Sequence, residues 1–381
     1  MSAFIIYQTG MTPHMANLSR ALAEAGHEAS YVSRLAVDEE RARQGWTLPD
    51  CTGVQLVDLN IDSRAIAEIP LKFPKDAIHL TQGICRNGHI QKVQPTLARH
   101  RLRWGAMLET IDDRGMRGLM RRLDYARRLR WGNCIPDFLL ATGERTADWL
   151  VARGFPSKRV FPFTYFLQPA SKKNDFTPKQ TPTIGFVGRM ISLKRVDLLI
   201  EAMATLGRDD MSLSLVGDGP LGASLRARAV KALGKSRVDW RGRCSIEEAR
   251  AVMASLDLLV LPSRHDGWGA VVTEALLAGT PAICSDACGA AEAVRASGLG
   301  GVFKSGDIDS LRHILRRSLD TLPRTRAIRA QIAAWAHSSF SIQAGARYLD
   351  AIVRHLYGGA PRPLPPWRNH RPTFTSIDGN Q

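Results

Sequence analysis

Residues 183–202 read TIGFVGRMISLKRVDLLIEA, and this stretch decides the fold. Thr183–Val187 has the β-branched and aromatic character of a short strand. Gly188 leaves that strand, and VDLLIEA, from Val196, continues as a helix. Strand, glycine turn and helix make the repeating unit of a parallel α/β sheet. The unit recurs on both sides of this stretch. Downstream, strands are expected at Ser212–Val216, Val238–Trp240, Leu258–Leu261, Ala282–Cys284 and Gly301–Phe303. Upstream they are expected at Phe4–Tyr7, Ala29–Val32, Val54–Val57, Ala77–Thr81, Trp104–Leu108, Phe138–Ala141 and Val160–Phe163. Helical patterns such as His14–Ala25 and Glu144–Arg153 lie between them.

The segment QPASKKNDFTPKQTP, residues 168–182, is polar and proline-containing, which reads as a linker. It divides the chain into an N-terminal domain, 1–167, and a C-terminal domain, 183–340. Residues 341–357 form a final helix, and 358–381 form a tail with prolines at 361, 363, 365, 366 and 372 that is expected to add no core. The fold class is therefore α/β, with two doubly wound parallel-sheet domains facing a cleft. The length of 381 residues agrees with two domains at about 150 residues each.

Composition narrows the function. With 44% hydrophobic and 23% charged residues, the chain is globular rather than disordered. No apolar run approaches the roughly 18 residues of a membrane helix, and MSAFIIYQTGMTPH lacks the features of a signal peptide. Six scattered cysteines without a C-x-x-C pair are cytosolic usage, so a disulfide framework or zinc site is not expected. The net charge is +16, unevenly spread. Residues 1–85 hold 7 basic and 10 acidic groups, whereas 86–130 hold 12 basic and 4 acidic ones. A basic block of this kind points to an anionic partner.

In an open α/β sheet, ligands bind beyond the carboxyl ends of the strands. Three loops of the second half fit that place. After Gly188, Arg189 and Lys194 flank the turn into a helix, a good setting for a diphosphate; two solvated surface charges are the plainer alternative. In LSLVGDGPLGASL, residues 213–225, Gly217, Gly219 and Gly222 spell G-x-G-x-x-G with Asp239 further on, a dinucleotide pattern. Pro220 and the position on a second strand weaken it, and a tight turn explains it as well. In LLVLPSRHDGWGAVVTEALLAGTPAICSD, residues 258–286, Asp266, Gly267, Trp268 and Gly269 precede a helix starting near Ala270. The two glycines let the backbone approach a ligand, amides at 269–271 can face an anion, and Glu274 follows eight residues after Asp266. Carboxylates beside an anion site suit a polyol joined to a diphosphate, which describes a nucleotide sugar.

Together, GRMISLKRVDLLIEA, LVGDGP, VDWRGRCSIEEARAVMASLDLLVLPS and DGWGAVVTEALLAGTPAICSDACGA resemble the donor domain of the retaining glycosyltransferases of family 4, which have the GT-B fold of two Rossmann-like domains. The resemblance is strongest over residues 183–320; in the first domain the Gly10 loop, AEAGHEASYVS and PDFLLATGERTADWL carry it. By that resemblance, Arg189 and Lys194 hold the donor's diphosphate, Glu274 bonds the ribose hydroxyls, and the carboxylate at 266 bonds the transferred sugar. Gly188, Gly267, Trp268, Gly269 and Ala270 line the donor, the loop around Arg243 flanks the base, and Gly10 lies opposite the phosphates. The final helix would cross back onto the first domain. The resemblance further implies retention of configuration, domain closure over the donor and no metal. Asp307-x-Asp309, which mimics a D-x-D metal motif, sits where an acidic helix cap suffices.

Two departures stand out. The family's E-x7-E pair reads Asp266-x7-Glu274 here, one methylene shorter at its first carboxylate. Where members often carry a histidine after the strand reading WGAML, this chain has Glu109, which is expected to face the cleft in that place. A surface carboxylate paired with arginine is the alternative for Glu109, and His79, His89 and His100 are the alternative histidines. In MRGLMRRLDYARRLRW, residues 116–131, six arginines stand among Leu, Met, Tyr and Trp. Such a helix suits an anionic membrane surface, or is simply a solvated basic face. No nucleic-acid motif accompanies the charge, so nucleic acid is not an expected partner. The implied enzyme transfers a sugar from a nucleotide-diphosphate sugar to a glycan or a polyprenyl-diphosphate-linked acceptor in cell-surface polysaccharide assembly. It would be cytoplasmic, at the inner face of the membrane, with the donor as co-substrate and no other cofactor. A nucleotide-sugar epimerase, an NAD enzyme using Gly217–Gly222, and a basic nucleic-acid or lipid-binding protein are the rivals.

Overall fold

The runs Trp104–Leu108 and Phe138–Thr142 are buried at every residue, as a parallel sheet covered by helices on both faces requires. The computed structural model describes residues 1–35, 48–60, 62–84, 87–168, 176–178, 180–322, 324–369 and 372. Cys85 and residues 169–175 and 179 of the expected linker lie outside them. Seven strands form the first sheet: β1 (Ala3–Tyr7), β2 (Glu28–Ser33), β3 (Gln55–Asp58), β4 (Ile78–Gln82), β5 (Trp104–Leu108), β6 (Phe138–Thr142) and β7 (Val160–Phe163). Six form the second: β8 (Thr183–Val187), β9 (Ser212–Val216), β10 (Val238–Gly242), β11 (Leu258–Leu261), β12 (Ala282–Ser285) and β13 (Gly300–Phe303). Their orders are β3-β2-β1-β4-β5-β6-β7 and β10-β9-β8-β11-β12-β13, and every ladder is parallel. The strands expected at 104–108, 160–163, 183–187, 212–216 and 258–261 have those bounds in the structure.

The helices of the first half are α1 (Pro13–Glu24), α2 (Ser63–Glu68), α3 (Gln94–Arg99), α4 (Gly115–Trp131) and α5 (Glu144–Val151). The second half adds α6 (Val196–Ala204), α7 (Gly222–Leu233), α8 (Ile246–Ser255), α9 (Ala270–Leu277), α10 (Ala291–Ser297), α11 (Ile308–Thr321), α12 (Arg326–Phe340), α13 (Ile342–Gly358) and α14 (Pro366–Asn369). Pro13 opens α1, where its missing N–H costs nothing. Ser245 and Glu248 form a capping box on α8.

The chain divides into two units, Met1–Gln168 with Ser341–Pro365, and Pro169–Phe340 with Pro366–Gln381. Helix α13 completes the first unit: Tyr348 donates its hydroxyl to Pro162 O at 3.0 Å, and Tyr357 donates to Asp137 Oδ2 at 2.9 Å. The tail corrects the sequence expectation. Arg362 donates to the carbonyls of Lys158 and Val160, each at 2.6 Å. Trp367 is 1% exposed, in the core of the second unit. A proline-rich segment has no periodicity, so one buried tryptophan in it leaves no pattern to read.

Candidate functional site

Each sheet reverses its strand order once, between β1 and β4 and between β8 and β11. Connections leave such a switch point in opposite directions, opening a crevice at the carboxyl ends of the strands. In the second unit that crevice is flanked by the loops after β8 and β11, which carry Arg189, Lys194 and Asp266. The structure brings two of these residues together. Lys194 Nζ lies 2.5 Å from Asp266 Oδ2, the side chains 21% and 15% exposed. Arg264 N also donates to Leu193 O at 2.8 Å, tying the loops by backbone. Immediately after Lys194, Arg195 takes the left-handed conformation at φ 52°, which costs a non-glycine residue roughly 1–2 kcal/mol. Both carboxylate oxygens of Asp197 hold its guanidinium at 3.1 Å. Local strain beside a lysine in a crevice is a recurrent mark of function.

Asp266 is fixed from behind. Its amide donates to Ala287 O at 3.2 Å, and its carbonyl accepts from Gly289 N at 3.3 Å. Gly269 is the N-cap of α9, and Val272 is its first residue to bond back, to Gly269 O at 2.9 Å. The amides of Gly269, Ala270 and Val271 therefore have no backbone partner among the described residues and stand at the positive end of the helix. Glu274 lies one turn into α9; burial pushes its carboxyl above the ordinary carboxylate value, and the charge of Arg250 offsets part of that rise. Arg189 is exposed at the mouth. Arg243 pairs with Asp218 at 3.3 Å, placing it beside the loop that follows β9.

Trp268 departs from its expected place. Its ring is 1% exposed and packs 6.0 Å from that of Trp367, so only its backbone is available to a donor. The glycine pattern at 217–222 is also explained. A Cβ on Gly217, at φ 123°, would lie 1.9 Å from Gly188 O, and one on Gly219 2.7 Å from Met190 O. These glycines let the loops after β8 and β9 touch backbone to backbone. The amides of Gly217, Gly219, Leu221 and Gly222 all bond within the protein, so close packing between loops accounts for the glycines. The glycine pattern at Gly217–Gly222 thus needs no NAD to explain it.

The first unit carries a cavity of about 480 Å³. Gln8 and Thr12 line it from the β1–α1 connection, His14 from the start of α1, Gln82 from the end of β4, Asn87 from the stretch after β4, and Glu109 from just after β5. Glu109 accepts a hydrogen bond from the Tyr165 hydroxyl, and the His14 ring lies 5.1 Å from that of Tyr165. Gly10, in the β1–α1 loop, accepts from the Tyr31 hydroxyl at 3.3 Å. His79 is buried against the Tyr7 hydroxyl at 2.9 Å, and burial lowers its pKa to about 4, so it is a neutral core residue. Asp307 caps α11 by accepting from Ser310 N at 3.0 Å, while Asp309 pairs with Arg312 at 3.0 Å. Among the described residues no group of three or more His, Cys, Asp and Glu side chains is arranged to hold a metal. Tyr165 and His14 escaped sequence reasoning, because neither belongs to a motif and only the fold returns them to the end of β5.

Comparison with known proteins follows the same lines. Residues 168–333 match the family model of glycosyl transferases, group 1. That segment holds both loops of the lysine–aspartate pair and all of α9. The chain resembles the 2-deoxystreptamine glucosyltransferase of Streptomyces kanamyceticus, 34% identical over 142 residues, 36% of each chain. It is also similar to the D-inositol 3-phosphate glycosyltransferase of Mycolicibacterium smegmatis, 33% identical over 172 residues, 42% of this chain and 39% of that one. The chain thus spans under two fifths of the length of these curated relatives. Among solved structures, Anabaena Alr3699/HepE in complex with UDP superposes with a TM-score of 0.69 at 16% identity, covering 93% of this chain and all of the other. WaaG, a glycosyltransferase involved in lipopolysaccharide biosynthesis, gives 0.62 at 17% identity over 93% of this chain and 100% of that one. At such identities the likeness bears on the fold, and it is the GT-B fold.

Proposed function

We propose that this chain is a retaining glycosyltransferase of family 4 that moves a sugar from a nucleotide-diphosphate donor to an acceptor hydroxyl. The observation that carries the reading is the meeting of Lys194 and Asp266 at 2.5 Å in the crevice between β8 and β11, within the segment that matches the group 1 family. An ammonium has three donors, so Lys194 can keep Asp266 and still bond a diphosphate oxygen. Asp266 keeps a second oxygen for a sugar hydroxyl, and Glu274 serves the ribose.

The chemistry follows from charge. The bond from the sugar's anomeric carbon to the diphosphate oxygen breaks, leaving its electron pair on the diphosphate and positive character on the sugar. Arg189, Lys194 and the amides at Gly269–Val271 stabilise that departing charge, so the reaction needs no metal. The acceptor oxygen then bonds the anomeric carbon. Glu109, held by Tyr165 in the cavity of the first unit, takes up the acceptor's hydroxyl proton.

The acceptor is a glycan or polyprenyl-diphosphate-linked sugar of cell-surface polysaccharide assembly, met at the inner face of the membrane. Helix α4 supports that placement. Met116, Leu119, Met120 and Leu123 recur at helical spacing and are 77%, 47%, 69% and 65% exposed, with arginines beside them. An apolar strip edged by cations suits an anionic bilayer surface. No helix among the described residues is long and apolar enough to cross a membrane.

A thermal-shift panel of UDP-, GDP-, ADP- and dTDP-sugars, with NADH and a DNA oligomer as controls, tests the reading. One nucleotide family should raise the melting temperature, because a donor binds only the native state. UDP-glucose comes first, since the Anabaena neighbour has been solved with it. Turnover should survive a chelator and preserve the anomeric configuration. A shift with NADH or DNA alone would refute the proposal.

A further inference from the structure

Trp367 lies beyond the matched segment and far in sequence from Asp266, yet it packs directly behind the loop that carries it. Its ring stacks on Phe340 at 5.7 Å and 16° and meets Trp268 at 6.0 Å and 51°. Its indole N–H donates to Glu292 Oε2 at 3.1 Å in a buried bond. Trp268 is two residues after Asp266, and Glu292 is at the start of α10, just after the segment 287–290. Those two stretches clamp each other: besides the two bonds of Asp266, Ala290 N donates to Trp268 O at 2.7 Å. A Cβ on Gly289 would lie 2.5 Å from Gly267 O, so the backbones are in contact. Trp367 thus holds one side of the clamp by its ring and the other by its N–H.

We infer that Trp367 is a positioning residue for the Asp266–Gly269 loop, acting through Trp268 and Glu292 to set where the Asp266 carboxylate meets Lys194. A buried aromatic with one hydrogen-bonding edge suits this role, because packing fixes its ring and the N–H fixes its rotation. Phe340, its stacking partner, is the last residue of the second unit before the chain enters α13. The same ring therefore ties the loop to the point where the chain leaves that unit. This role rests on the placement of Asp266 in the proposed donor site, but the loop's order is measurable without any donor.

The test compares Trp367→Ala and Trp367→Phe in the full chain by hydrogen exchange. In Trp367→Ala, the amides of Asp266, Gly289 and Ala290 should exchange about tenfold faster or more, while those of β8 and β9 keep their protection. Trp367→Phe keeps an aromatic ring but loses the N–H to Glu292, so it should recover the protection of Asp266 and only part of that of Gly289 and Ala290. Uniform acceleration across the second unit in both variants would mean that Trp367 is only core, and unchanged exchange at the three amides would remove the role altogether. Where a nucleotide sugar binds the parent protein, its affinity should fall in Trp367→Ala and return in Trp367→Phe. If no nucleotide sugar binds even the parent, the glycosyltransferase reading fails while the exchange result stands.

Discussion

At the crevice of the second unit a lysine and an aspartate meet at 2.5 Å on loops joined by a backbone bond. At the crevice of the first unit a carboxylate meets a tyrosine hydroxyl on the wall of a 480 Å³ cavity. Both lie at the carboxyl ends of a parallel sheet, but they are built differently. The second site is rigid by construction, because close backbone contact between loops demands glycine at Gly217 and Gly219. The first is open and rests on side chains gathered from β1, β4, β5 and the stretch after β7.

The comparison can be broken at the glycines. Gly217→Ala should destabilise the second unit by about 3 kcal/mol or more, read as a lower urea midpoint, since its Cβ would overlap Gly188 O. Gly10→Ala has nothing within 4 Å of its new methyl and should leave stability within about 0.5 kcal/mol. Equal losses in the two would mean that the loops are equally packed. Next in size, Glu109→Gln should slow transfer by about a hundredfold with donor affinity unchanged in a titration; loss of both together would place Glu109 elsewhere. Lys194→Ala should weaken donor binding by about tenfold or more, the loss of one charged hydrogen bond, without altering acceptor KM.

The smallest effect sharpens the contrast through pH. Burial holds the Glu274 proton in the native state above the ordinary carboxylate range, whereas the unfolded chain releases it at the usual value. The native state therefore binds more protons between those two values, and this group makes stability fall as pH rises through that window. Urea midpoints taken across it should flatten in Glu274→Gln relative to the parent. An unchanged slope would assign the dependence to another group.

Much of the second unit was legible because its constraints are local. Gly188, Lys194, Asp266 and Glu274 stand at fixed spacings around strand ends, and short apolar strands give their bounds directly. The limits appear where distant pieces meet. Trp268 read as a donor contact because its neighbours in sequence carry the resemblance to a donor loop; its true neighbour, Trp367, is 99 residues away. The G-x-G-x-x-G at Gly217–Gly222 imitates a nucleotide loop because tight backbone packing and phosphate binding ask for the same residue. Glu109 became a candidate by standing after β5 where the resembled family often carries a histidine, whereas Tyr165, which donates to it, had no signature.

The chain passes between the two units three times, after residues 168, 340 and 365. Severing it in the linker would therefore not yield the two units as separate pieces. The front piece would lack α13, on which Tyr348 and Tyr357 dock against Pro162 and Asp137, and the rear piece would carry that helix away from its seat. A chimera meant to exchange the first unit must transplant residues 341–365 along with the first 168, leaving Trp367 with its original host.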